Sequence, residues 1–159
     1  MRTLHLSDQD KEEVLKILQE DDSPEAVDTI YLSRNNLDKT PDILTKFLNI
    51  DTLFLNSNPL KEVGGVCNLQ RIKMLFIDDC ELESLSQSFG SLTNLMCFNA
   101  SDNKIRCLPQ SFSLLTNLEV LSLDKNLLTS VPSFSNLLKL ERFMVFLIYD
   151  FFFLLIGFV

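Results

Sequence analysis

The sequence predicts an α/β solenoid: a right-handed superhelix of stacked units with a short-stranded parallel sheet on its concave side and a helix capping its N-terminal end. Three observations carry this. An eleven-residue apolar pattern recurs five times, in steps of 22 or 23 residues. The stretches between copies keep phase too, with Pro41, Pro109 and Pro132 each fourteen residues after the first residue of its copy. Ahead of the first copy stands an amphipathic segment with an acidic start, "SDQDKEEVLKILQEDDSP".

Residues 1–26 read as the cap. Ser7 supplies an N-cap, acidic residues fill the first turn, and Val14, Leu15 and Leu18 recur at helical spacing. Pro24 follows the end, so a helix is expected over about 8–20. Without it the first repeat would expose one apolar face. Met1, Leu4 and Leu6 match the strand pattern of the repeat and predict an edge strand before the helix. The segment has no apolar run behind a basic start, so it reads as neither a secretory signal nor a transit peptide.

Residues 27–145 carry the repeats. The template L-x-x-L-x-L-x-x-N-x-L is matched from Val27, Ile50, Ile72, Leu95 and Leu118, with Ala100 the one exception among its apolar positions. Positions one, four and six point inward from a short strand, where stacking on the next unit is the only way to bury them. The ninth position forms a column of Asn35, Asn58, Cys80, Asn103 and Asn126. Its side-chain amides can both donate to and accept from backbone groups that leave the strand without a ladder partner. This is a leucine-rich-repeat pattern.

In the variable halves the prolines fix φ where the chain turns onto the convex side. Phe89 and Phe112 share a phase, as do Leu92 and Leu115, and these are expected to fill the convex layer. With its 22 to 23-residue unit and "LPQSFSLLTNL" pattern, the chain resembles the intracellular leucine-rich repeats of Ras-suppressor, Scribble-like scaffold and plant Ras-group proteins. That resemblance implies an adaptor that binds proteins rather than an enzyme. Because the shared motif consists of core residues, it speaks to fold more than to function.

Function is therefore sought in the outward positions. The central one reads Tyr31, Phe54, Phe76, Asn99 and Ser122 along the five copies, a column that begins with three large rings. Stacking along the ladder would contribute ~0.2–1 kcal/mol per pair, whereas burial in a partner would gain ~1.5–3 kcal/mol per ring. Beside this column lie Asp78, Asp79, Asp102 and Asp124. The expected partner is a protein with an apolar anchor and basic residues, the charges steering encounter and register.

A net charge of −8 with no opposing Lys/Arg cluster disfavours nucleic acid and anionic lipid headgroups. His5 is the only histidine, and Cys67, Cys80, Cys97 and Cys107 show no paired spacing, so neither a metal site nor a disulfide framework is expected. No cofactor is expected either. Asp78 and Asp79 lack an accompanying nucleophile or histidine and diverge as neighbours on a strand, which argues against acid–base chemistry. Cys97 has nothing basic beside it in sequence to lower its pKa. These features point to the cytoplasm.

The last segment, "LERFMVFLIYDFFFLLIGFV", begins a sixth copy with Leu140, Phe143 and Val145. It then fails, with Ile148 where an amide and Asp150 where an apolar residue is required. Residues 146–159 form a hydrophobic tail open to three readings. As a helical anchor, 143–159 would reach ~25 Å and hold the repeats on the cytosolic face of a membrane. As a lid it would close the solenoid, though it lacks a polar outer face. The favoured reading is an aberrant end of a longer solenoid, by truncation or read-through, because a repeat is begun and abandoned.

Overall fold

The computed structural model describes residues 1–149 and 152–158, with side chains through Val145. Asp150, Phe151 and Val159, on which the tail readings also draw, lie outside the described residues. The strands form one sheet in chain order: β1 (Arg2–His5), β2 (Val27–Tyr31), β3 (Thr52–Phe54), β4 (Met74–Phe76), β5 (Cys97–Asn99), β6 (Val120–Ser122), β7 (Arg142–Tyr149) and β8 (Phe152–Phe158). Strands β1 to β7 pair in parallel, and β8 returns antiparallel to β7.

The apolar template sets the register. Ile30, Leu53, Leu75, Phe98, Leu121 and Phe143 stand opposite one another from β2 to β7, so template position four aligns in every copy. Side chains alternate along a strand, so this alignment buries positions four and six and turns position five outward. The buried core contains each of these inward residues together with the first position of each complete copy. Where Ala100 leaves room at position six, Phe98 fills position four, packed against Phe89 and Phe112 at ring-centroid distances of 4.9 and 6.1 Å.

The convex halves of the first four copies are single 3-10 turns rather than α-helices, at Asp42–Lys46, Gly64–Asn68, Gln87–Ser91 and Gln110–Leu114. Pro41 and Pro109, at φ −61° and −65°, stand immediately before two of them, and Ser86 takes that place in the third copy and accepts from the Ser88 amide. Neighbouring turns pass so closely that a Cβ at Gly90 would lie 2.3 Å from the Ser111 carbonyl oxygen. Only glycine fits there.

The cap helix α1 spans Lys11–Glu20, shorter at its start than the expected 8–20. Asp10, not Ser7, is the N-cap, its Oδ1 accepting from the Glu12 and Glu13 amides at 2.8 and 3.3 Å. The reason lies in the residues before it. Asp8 adopts φ 61° and the Gln9 amide donates to Asn35 Oδ1, so this stretch is the exit turn of β1 and cannot begin a helix. The expected edge strand is present, with Leu4 opposite Ile30, and Arg2 forms an ion pair with Asp21 after the end of α1. The N-terminal segment is thus itself a repeat whose convex half is α1.

At the other end, Phe143 and Val145 are buried and β7 pairs with β6 from Arg142 to Met144. Strand β7 continues past Val145 to Tyr149 and forms a hairpin with β8. The helix that the anchor reading requires is replaced by these strands. Among the described residues no helix is long and apolar enough to cross a membrane.

Candidate functional site: the concave face

The register places Tyr31, Phe54 and Phe76 side by side and adds a fourth ring, His5. The four form one continuous stack. Centroid distances are 4.8 Å for His5–Tyr31, 4.4 Å for Tyr31–Phe54 and 4.5 Å for Phe54–Phe76, with the planes within 10° of parallel. Stacking covers the faces between neighbouring rings and leaves their edges toward solvent. Tyr31, Phe54 and Phe76 are half-buried as a result. His5 was not among the expected site residues, although its place between inward Leu4 and Leu6 was the signal for it.

Beyond Phe76 the same column continues as Asn99, Ser122 and Met144 and becomes a hydrogen-bonded chain. Asn99 Nδ2 donates to Asp78 Oδ1 at 3.0 Å, and its Oδ1 accepts from the Ser101 amide at 3.1 Å. Ser122 donates to Asp124 Oδ1 at 3.0 Å, and Ser101 contacts both Ser122 and Asp124. The structure therefore joins Asp78 and Asp124 into one network. Burial raises the Asp78 carboxyl above its usual range, with Asp79, Asp102 and Asp124 adding like-charge repulsion. Asp102 is paired with Lys125 Nζ at 2.9 Å, and Asp79 is exposed.

The ninth-position column works as its chemistry requires. Asn58 Nδ2 donates to the Leu32 and Leu55 carbonyls, while its Oδ1 accepts from the Asn35 and Leu37 amides, all within 2.8–3.0 Å. Asn35 reaches back to the Leu6 carbonyl, Asn103 to Ile77 and Asn126 to Ala100. Cys80 donates to Leu55 but offers no comparable acceptor, and the Leu60 amide turns to its own Asn58 carbonyl at 2.7 Å. Each column residue follows a left-handed residue: Arg34, Ser57, Asp79, Asp102 and Lys125 have φ between 53° and 57°. None of the five is glycine, so their residue types do not mark that conformation.

A second ladder, not anticipated, runs beside the strand starts. Asn49, Asn94 and Asn117 each donate to a carbonyl of the preceding repeat, at 2.6–2.8 Å. All four cysteines are free. Burial pushes the Cys97 thiol up, and that of Cys80 up to about 11, so neither is a ready thiolate. Among the described residues no cluster of three potential ligands could hold a metal ion.

This geometry defines a leucine-rich-repeat solenoid, and solved structures agree. The chain is similar to a leucine-rich-repeat protein of Leptospira interrogans at TM-score 0.69 and 21% identity, over 91% of this chain and 43% of that one. It is similar to an internalin of Listeria monocytogenes at TM-score 0.68 and 16% identity, over 90% of this chain and 47% of that one. It thus spans less than half the length of either. No protein-family model and no curated protein sequence matches.

Proposed function

We propose that the chain is a non-enzymatic interaction module, an intracellular adaptor or scaffold that takes a protein partner on its concave face. Tyr31, Phe54, Phe76, Asp78, Asp79, Asp102 and Asp124 form the contact surface in this reading. The supporting observation is the ring stack: large apolar side chains held in register on a sheet face, where polar residues would serve solubility better. Free cysteines and the resemblance of the unit to Ras-suppressor and Scribble-like repeats support a cytoplasmic setting.

A photo-crosslinking phenylalanine analogue placed at Phe54 keeps an aromatic ring in the column, and the same analogue at exposed Thr45 samples the convex side. Irradiation in cytosol should give discrete protein adducts from position 54 that are absent from position 45. Identical adduct patterns would remove the concave face as the binding surface.

A further inference from the structure

The concave face also specifies what kind of segment it receives, an inference that rests on the reading just given. Its polar side chains are largely spoken for. Thr29 donates to Asp28, Thr52 to Asp51 and Ser33 to Asn56, at 2.7–3.0 Å. Both ends of the Asn99 amide are engaged, and Ser122 is held by Asp124. A partner docking as an extended chain would bring unpaired backbone N–H and C=O groups against this surface and find few free groups to satisfy them. A helix satisfies its own backbone and asks only for side-chain contact.

The ring stack narrows the choice further. Spacings of 4.4–4.8 Å leave no slot between rings for an inserted side chain, and the enclosed faces cannot receive a cation. What is offered is a largely apolar ledge of ring edges from β2 to β4, with the His5 imidazole beside it on β1. Carboxylates then take over from β4 to β6, where, among the described residues, Asp102 is ion-paired with Lys125 and Asp78, Asp79 and Asp124 form no ion pair. Apolar ledge and acidic stretch thus follow one another along the solenoid axis.

We propose that the occupant is an amphipathic helix of a partner protein, lying along the solenoid axis with its apolar stripe on Tyr31, Phe54 and Phe76 and Arg or Lys at its other end beside Asp78 and Asp124. Strands ~4.8 Å apart put β2 and β6 about 19 Å from each other, the length of a helix of about 13 residues. An apolar stripe at i, i+3, i+4 and i+7 covers the ledge.

Two display libraries distinguish the possibilities, each selected on the full chain. One varies the exposed face of a helix in a small stable bundle, and the other varies an equal number of residues in unconstrained linear peptides that include proline. Helical binders with an apolar stripe and a basic end should be enriched, and should lose tenfold or more in affinity on Phe54→Ala and on Asp124→Asn. Phe54→Thr, a strand-favouring residue without a ring, replaces Phe54→Ala if the latter fails to fold. Linear binders that are tighter and equally sensitive at Phe54 would overturn the helix while leaving the concave reading intact. Helical binders indifferent to Asp124→Asn would overturn the charged half. Should no binder from either library respond at Phe54, both readings fall.

Discussion

From β1 to β4 the central outward column is a stack of rings; across β5 and β6 the same column is amide and hydroxyl, bonded to carboxylates. Ladder and register are alike in both halves, and so are the buried inward positions. The backbone is fixed by the core and the ninth-position column, so the outward columns are free to differ. Each half is satisfied in its own way. Ring contacts stabilise the first, whereas the second holds like charges together at some expense to stability.

The largest effect separates inward from outward within the ring half. Leu55→Ala should lose ~2–5 kcal/mol, because a fully buried side chain leaves a cavity between two repeats. Phe54→Ala, one residue away, breaks two stacking contacts worth ~0.2–1 kcal/mol each. Its loss should stay below ~2 kcal/mol in urea melts. Equal losses would mean that the rings belong to the core and that the two faces are wrongly assigned.

A smaller effect lies at the junction of the halves. Cys80 interrupts the asparagine column, and the Leu60 amide lacks the side-chain acceptor that Asn103 gives Leu82 and Asn126 gives Ile105. Cys80→Asn should therefore stabilise the fold by ~0.5–1.5 kcal/mol, the usual net value of a hydrogen bond. Thermal melts read this directly. A destabilised variant would show that the local backbone has closed around sulfur and that the column is not interchangeable between halves.

The sequence was most informative where a side chain's direction follows from strand alternation. The core leucines, the asparagine column and the membership of the ring column were all legible in this way. What was not legible depends on geometry between units. Whether Tyr31, Phe54 and Phe76 splay or stack is set by the flat register of adjacent strands. His5 stayed hidden because the template begins at Val27, and the Met1 unit matches it only at apolar positions. Asp102 looked available until the left-handed turn residues Asp102 and Lys125 proved to be neighbours in one column, close enough to pair. Convex turns of 3-10 type in place of α-helices likewise follow from short connections, which the proline phase marked without naming.

The smallest effect tests whether the polar half is under electrostatic strain. Asp78 is half-buried among like charges, and its carboxyl is raised above its ordinary value, chiefly by desolvation. The folded state therefore binds that proton more tightly than the unfolded chain, so ionised Asp78 destabilises the fold at neutral pH and the penalty is relieved as pH falls through the raised value. Asp78→Asn retains an oxygen to accept from Asn99 Nδ2 while removing the charge. It should gain about 0.5 kcal/mol near pH 7, a small figure because the site is partly solvated and screened. The gain should shrink with acidification and with added salt. Asp21 at the N-terminal cap provides the opposite sign: its hydrogen bond from Arg2 lowers its carboxyl, so Asp21→Asn should destabilise at neutral pH and converge with the parent as pH falls through that lowered value. Chemical denaturation of both variants across pH 2–8 measures the pair of slopes. If Asp78→Asn brought no gain at any pH, the carboxylates would be as relaxed as the rings, and the two halves would differ in composition alone.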